Sequence, residues 1–182
     1  AGVGRDGVAQ AYSEPGSNVL IAAPGGSAGD GLVTTDLTGS AGLSVDDYLR
    51  TDSQVDGLNF AGTSAAAATV SGAVALMLQA NTALTPREVA WILAATARPP
   101  NAETCPVSVC QGDDAIQPVR SSLGEGKAFS PRMGFGRIDV RAAVEAAQHF
   151  SGLSPERSCS SKLMKPNSNG TSSARITAGA LI

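Results

Sequence analysis

Ser64 is the side chain whose sequence setting most favours covalent chemistry, because it follows Gly62 and Thr63 at the start of an apolar, helix-like stretch. A serine hydroxyl is a weak nucleophile at neutral pH, so it requires a base that removes its proton and donors that stabilise the oxyanion. In the first turn of a helix, Ser64 would lie beside unbonded backbone N–H groups and the positive end of the helix dipole. The pattern therefore predicts a nucleophile at Ser64, supported by Gly62 and Thr63. The simpler alternative is a serine that only caps the helix.

A base for Ser64 must come from elsewhere, and the chain contains a single histidine, His149. With Asp113 or Asp114, it would complete the Ser, Asp, His chain order of α/β-hydrolases. One alternative function is therefore a self-contained esterase that uses Ser64 and His149. Against it, the segment around Ser64 lacks the second glycine of the hydrolase elbow. His149 also stands at a predicted helix end, where it fits equally well as a cation.

The first predicted helix runs from Ser64 to Ala80, inside a stretch without charged residues from Gly57 to Pro86. One of its faces consists of small residues, which lets another backbone approach closely, so a central and buried helix is expected. The stretch is also long enough to span a bilayer, but its Ala, Ser and Thr content makes insertion marginal, and we expect no membrane. The small residues of that face are Ala68, Ser71, Gly72 and Ala75.

Two further helices are predicted downstream. A capping box at Thr85–Glu88, with proline at the first helical position, predicts a helix from Pro86 to about Ala97. Asp139 is placed to cap a third helix. The apolar stripes expected on the two helices are Val89, Ile92 and Leu93, then Val140, Ala143, Val144 and Ala147.

Before the first helix, two strands and a loop are predicted. The apolar run Asn18–Ala23 is bounded by Pro and Gly on both sides, and Leu32–Thr35 is rich in β-branched residues, so both are predicted strands. The segment from Thr38 to Phe60 is polar and acidic. A solvated surface loop is the first interpretation of this segment, and a structural calcium site is the alternative.

Composition indicates one globular unit. A chain of 182 residues with 42% hydrophobic residues can bury a single core. Thirteen basic and sixteen acidic residues give a net charge of −3, without the basic run that nucleic-acid binding requires. After Phe150 the composition shifts to Ser, Asn, Pro and Gly, so we expect a domain at 1–150 and a linker or further domain at 151–182. The chain opens without Met or leader, and we expect it to start within a longer protein.

Cys105 and Cys110 frame a short proline-containing loop and are predicted to form a local disulfide. The alternative is a pair of free thiols in a reducing compartment. A metal site is disfavoured because neither a second cysteine pair nor a histidine cluster accompanies them. Cys159 is left without a predicted partner in the chain.

The segment around Ser64, in which Gly62-Thr-Ser64 is followed by small residues and then Val70 and Gly72, resembles the nucleophile motif of the subtilisin-like serine proteases, the subtilases. Other segments resemble that family in the same order, over about residues 8–150. Leu78–Leu93 is similar to the family's helix-turn-helix, and Val33–Asp36 to a segment of its kexin and furin branch. The remaining matches are Tyr12-Ser13, Gly16, Val19, Ala23-Pro24-Gly25, Gly134–Asp139 and Ala142-Ala143.

The resemblance implies an α/β fold, the subtilisin-like three-layer architecture with a mostly parallel sheet, present here only as its C-terminal part. It implies a serine endopeptidase that forms an acyl-enzyme on Ser64. The catalytic Asp and His would lie upstream of this chain, because the family's triad runs Asp, His, Ser. Gly62 and Thr63 would support the substrate and the oxyanion.

The same resemblance implies a secreted or periplasmic protein that acts on protein or peptide substrates, with no cofactor apart from a structural calcium. Its expected partner is the upstream half of its own catalytic domain. Ala68 departs from the family, which usually has proline there, and this departure bears on the position of Ser64. A subtilase-like domain without activity, serving as a binding module, is the remaining alternative.

Overall fold

The computed structural model describes residues 1–27, 30–35, 37, 41, 60–118 and 127–154 of the chain. Contacts between Cα atoms divide the chain into a unit Ala1–Phe150 and a second unit Ser151–Ile182. Most of the acidic loop with the calcium alternative, Cys159, and nearly all of the second unit lie outside the described residues. The linker or further domain expected at 151–182 therefore stays a prediction.

The described helices and strands all belong to the first unit. In chain order they are β1 (Gly2–Val3), β2 (Ala23–Pro24), α1 (Thr63–Ala80), α2 (Pro86–Thr96), a 3-10 turn (Gly112–Asp114), β3 (Gln117–Pro118), β4 (Ala128–Phe129) and α3 (Val140–Gln148). β1 and β2 are parallel, and β3 and β4 are antiparallel. Helices packed beside parallel strands confirm the α/β class.

The strands are shorter than the sequence predicts. The run Asn18–Ala23 is strand only at its end, where β2 begins. Its earlier residues bond a turn instead: the Phe135 N–H donates to the Leu20 carbonyl at 2.9 Å, and the Ile138 N–H to the Ala22 carbonyl at 2.8 Å. The other predicted strand, Leu32–Thr35, is reduced to a single bridge residue. A strand needs a neighbouring strand along its whole length, and the described residues supply no such neighbour to the whole of Asn18–Ala23 or of Leu32–Thr35.

α1 begins at Thr63, one residue earlier than predicted, and ends at Ala80. Its inner face is buried against α3, β1 and β2, and includes Ala66, Ala73 and Met77. By length and composition it is also the one described helix that could cross a bilayer, a test that the core helix of a folded domain passes equally.

The opposite side of α1 corrects one prediction. The small face, formed by Ala68, Ser71, Gly72 and Ala75, is exposed along its whole length. The expectation of a buried α1 therefore holds for one side of the helix and is wrong for its small face. The physical reason is that α3 and the strands cover a single side of the helix, and the described residues provide nothing that covers the other.

α2 and α3 form as predicted because their caps are present. The Glu88 carboxylate accepts a hydrogen bond from the Thr85 N–H at 2.8 Å, and the Thr85 hydroxyl oxygen accepts one from the Glu88 N–H at 3.4 Å. Asp139 Oδ1 accepts from the Ala142 N–H at 3.1 Å. The predicted stripes face the core, where Val89, Ile92, Leu93, Ala143 and Ala147 are buried.

Two apolar clusters position these elements. The larger joins β2 to the three helices around Met77 and Ile92, which are both fully buried. The second joins Val3 of β1 to the excursion after α2, by which we mean the described residues 101–118 and 127–133, and contains the disulfide. Cys105 and Cys110 are bonded, with their Cα atoms 5.5 Å apart, which confirms the predicted pair. The disulfide therefore belongs to the apolar cluster that packs the excursion against β1.

Candidate active site

Ser64 lies in the first turn of α1, as the sequence predicts, and its side chain is exposed. The N-cap is Gly62, so Ser64 stands inside the helix and does not cap it. This placement contradicts the simpler alternative of a capping serine. Among the described residues, none is hydrogen-bonded to the Ser64 hydroxyl, so the oxygen is open to an incoming molecule.

Backbone donors surround the serine. The first N–H that bonds back into the helix is that of Ala66, which donates to the Gly62 carbonyl at 3.2 Å. The N–H groups of Thr63, Ser64 and Ala65 precede it and have no acceptor within the helix. They stand at the positive end of the helix dipole, where negative charge is stabilised. An oxyanion that forms on a carbonyl carbon bonded to Ser64 Oγ would develop beside these donors.

The turn that follows β2 holds Gly62 in place. The Gly62 N–H donates to the Gly25 carbonyl at 2.7 Å. A methyl group on the Gly25 Cα would lie 2.9 Å from the Gly62 carbonyl oxygen and 2.7 Å from Tyr12 Oη. Glycine at position 25 is therefore required for this close approach. The sequence matched Gly25 to a family segment but indicated no contact with the serine helix.

Tyr12 is a further neighbour that sequence reasoning did not assign to the site. Its hydroxyl donates to the Gly26 carbonyl at 2.7 Å. Burial raises the pKa of Tyr12 above its usual value. No local signal could have found the contact, because Tyr12 and Gly26 are fourteen residues apart in the chain.

The structure separates Ser64 from His149. His149 is the exposed C-cap of α3. Two residues earlier, the Ala147 carbonyl accepts a 3.0 Å hydrogen bond from the side chain of Asn81, which follows the C-terminal end of α1. Ser64 stands at the other end of that helix, about 25 Å away at 1.5 Å per residue. The esterase alternative built on Ser64 and His149 is therefore wrong.

A cavity of about 680 Å³ opens where β1 and β2 end, and its lining does not include Ser64. Arg5 and Arg137 contribute charge to it, and Pro24 and Thr69 connect it to α1. Within the described residues, no group of three or more His, Cys, Asp or Glu side chains could hold a metal ion. The described part of the chain thus offers an exposed serine hydroxyl with backbone donors beside it.

Comparison with known proteins gives consistent matches. The sequence profile of the Subtilase family, Peptidase_S8, matches residues 3–136. The extracellular serine protease of Aeromonas sobria is 35% identical to this chain, over 82% of the chain and 27% of that protein. A PC3-like endoprotease of Hydra vulgaris, variant B, is 33% identical, over 86% of the chain and 19% of that protein. The crystal structure of the Aeromonas sobria serine protease superposes with a TM-score of 0.63 at 32% identity, covering 85% of this chain and 30% of that one. The chain thus spans less than a third of each relative.

Proposed function

Because this chain belongs to the subtilase family, we propose that it supplies the nucleophile Ser64 of a serine endopeptidase and is the C-terminal part of that enzyme's catalytic domain. The observation that carries the proposal is the position of Ser64, exposed in the first turn of α1 behind a glycine N-cap, with unbonded backbone donors beside it. A serine hydroxyl so placed can reach a carbonyl carbon, and the oxyanion it creates meets N–H groups at once.

The reaction follows from this geometry. Ser64 Oγ attacks the scissile carbonyl carbon while a base takes its proton, and the carbonyl oxygen gains the negative charge that the Ser64 N–H stabilises. Gly62 and Thr63 shape the backbone at this point. Collapse of the adduct breaks the C–N bond, the amine leaves with the proton from the base, and water then hydrolyses the ester on Ser64. The base is a histidine oriented by an aspartate, both upstream of this chain, and no cofactor takes part.

The upstream half of the catalytic domain is the partner that this mechanism needs. The small face of α1 is exposed in this chain, and Leu76 and Leu78 beside it are 49% and 38% exposed. Small side chains let a second element approach a helix closely, and the relatives are more than three times as long as the matched region. We assign the small face to the upstream half, which brings the base to Ser64. The acidic loop before Phe60 binds structural calcium or is solvated.

The named relatives suggest substrate and location. One is called an extracellular serine protease and another an endoprotease. We extend these properties to the protein that contains this chain: protein or peptide substrates and a secreted or periplasmic location. The Cys105–Cys110 disulfide supports an oxidising compartment.

A fluorophosphonate probe tests the proposal in the protein that carries the complete catalytic domain. We expect one label, on Ser64, that disappears in Ser64→Ala and persists in Ser108→Ala, a control that removes another exposed serine hydroxyl. Labelling that survives Ser64→Ala would overturn the assignment. A folded protein that takes up no label would instead support the alternative of a subtilase-like binding module.

A further inference from the structure

No side chain caps the start of α1. Gly62 has a φ of 121° and caps the helix without a side-chain hydrogen bond. Apart from the backbone of Gly62's own helix and its two chain neighbours, no atom of the described residues lies within 4 Å of the point where a Cβ of Gly62 would stand. Gly62, two places before Ser64, therefore has no side chain that could pack or form a capping hydrogen bond. Whatever fixes its backbone also fixes the first turn of the helix.

Tyr12 is the side chain that fixes the turn to which Gly62 is bonded. Its hydroxyl donates to the Gly26 carbonyl at 2.7 Å, and the adjacent Gly25 carbonyl accepts the 2.7 Å hydrogen bond from the Gly62 N–H. Its ring lies over two bare backbone positions: a Cβ on Gly2 or on Gly25 would come within 2.7 Å of Tyr12 Oη. The phenol oxygen thus holds the turn after β2, and that turn is bonded to the residue from which α1 starts.

The core in turn anchors Tyr12. The next residue, Ser13, is 1% exposed, and its hydroxyl accepts a 3.0 Å hydrogen bond from the Gly2 N–H. The Ser13 carbonyl accepts another from Arg132 Nη1 at 2.9 Å. The backbone that carries the phenol is therefore fixed to β1 and to the excursion after α2. A rigid support of this kind lets one hydroxyl define the position of its partners.

We propose that Tyr12 is a positioning residue for the reaction at Ser64. Its hydroxyl fixes the Gly25–Gly26 turn to which Gly62 is bonded, and thereby sets where the first-turn N–H groups and Ser64 Oγ stand. Small displacements of a nucleophile reduce the rate more than they reduce substrate binding. The inference rests on the proposed function and adds a determinant of the acylation rate that lies outside the triad.

The phenol must keep its proton to donate to Gly26. Burial raises the pKa of Tyr12 above the usual value for a tyrosine. The hydroxyl is therefore a donor throughout the neutral pH range, and its hydrogen bond to Gly26 does not depend on pH there.

The test uses Tyr12→Phe, which keeps the ring over Gly2 and Gly25 and removes the hydroxyl, in the protein with the complete catalytic domain. We expect kcat to fall about tenfold, with KM within about twofold, because the lost bond positions the nucleophile and does not bind substrate. Deuterium exchange of the amides at 60–66 should quicken, and that at 86–96 should not.

Thr96→Val is the matched control. It removes another hydroxyl-to-carbonyl bond of 2.7 Å, from Thr96 to Ile92 in α2, and should leave kcat unchanged. The proposal is overturned if Tyr12→Phe keeps kcat within twofold of the wild type. Faster exchange at 60–66 without a fall in kcat would also overturn it, since the hydrogen bond of Tyr12 would then serve the structure only. If the wild type takes no label from the fluorophosphonate probe, the proposed function fails. Unchanged deuterium exchange at 60–66 in Tyr12→Phe would independently show that the Tyr12 hydroxyl does not fix the start of α1.

Discussion

The backbone N–H of Gly62 donates a 2.7 Å hydrogen bond to the carbonyl of Gly25, so the turn after β2 fixes the residue from which α1 starts. The strand layer and the serine helix are thus joined at one backbone contact, two residues before Ser64. Substitutions that separate Gly25 from Gly62 should act on the reaction even though neither residue carries a functional side chain.

Gly25→Ala should therefore lower both stability and the rate of acylation. The new methyl would meet the Gly62 carbonyl and Tyr12 Oη, and the first of these belongs to the backbone. We expect a loss of about 1–3 kcal/mol in the free energy of unfolding, measured by urea denaturation, together with slower probe labelling of Ser64. Gly4→Ala is the control, because its methyl would meet only the ends of the Gln10 and Asp6 side chains, which can move. Equal losses in the two variants would contradict the close packing at Gly25.

The 182-residue chain by itself should not hydrolyse peptides at a useful rate. Without the upstream base, only residual catalysis of about 10³–10⁴ over water is expected, and less without the substrate pockets. Adding the upstream half in trans should restore turnover of a peptide library. Turnover by the chain alone that is lost in His149→Ala would contradict this prediction and the separation of His149 from Ser64.

Gly72→Leu should block that restoration, because it places a large side chain at the centre of the small face. We expect at least tenfold less turnover in the mixture of the two halves than with the unaltered chain. Ala102→Leu adds the same side chain at an exposed position outside the small face and should complement normally. Full complementation by Gly72→Leu would show that the upstream half does not dock on this face.

Replacing both Cys105 and Cys110 by alanine should destabilise the protein by about 2 kcal/mol, the loop-closure entropy of so short a loop. The loss should appear as a lower midpoint of urea denaturation. Val107→Ala, in the same loop and 78% exposed, should change stability by less than about 0.5 kcal/mol. Alkylation before reduction should find neither thiol free. Two alkylated thiols in the unreduced protein would contradict the bond and the extracytoplasmic location.

Asp139 should contribute to stability in a pH-dependent way. The Ala142 N–H bond, and next the Arg98 guanidinium, lower the pKa of this carboxyl below its usual value. The stabilisation is therefore complete above the usual pKa of about 3.9 and is lost as the pH falls through the lowered one. Asp139→Ala should cost about 1–2 kcal/mol near neutral pH through loss of the cap.

Asp139→Asn is the discriminating variant, because an amide oxygen can still cap α3 but does not titrate. Its unfolding free energy, measured by urea denaturation between pH 2 and 5, should fall less steeply on acidification than that of the wild type. Identical slopes for the two proteins would rule out this carboxyl as a source of acid sensitivity.

Helices and caps could be predicted because they are local. The Thr85–Glu88 capping box and the Asp139 cap each join residues three apart, and the structure contains both. Strands were predicted less well. Asn18–Ala23 was predicted to be a strand, but most of it is hydrogen-bonded to a turn and not to a neighbouring strand. Apolar and β-branched runs indicate that a segment is extended and buried, but they do not say which segment lies beside it.

By itself the sequence determined the helix that carries Ser64, its place in the first turn, the paired cysteines and the family, because each depends on residue types at short, regular spacing. Only the tertiary structure decided that His149 lies at the far end of α1, that the small face is uncovered, and that Tyr12 bonds the turn that holds Gly62. These relations join segments tens of residues apart. Their geometry depends on how whole elements pack, and a pattern of neighbouring residues contains no information about that packing.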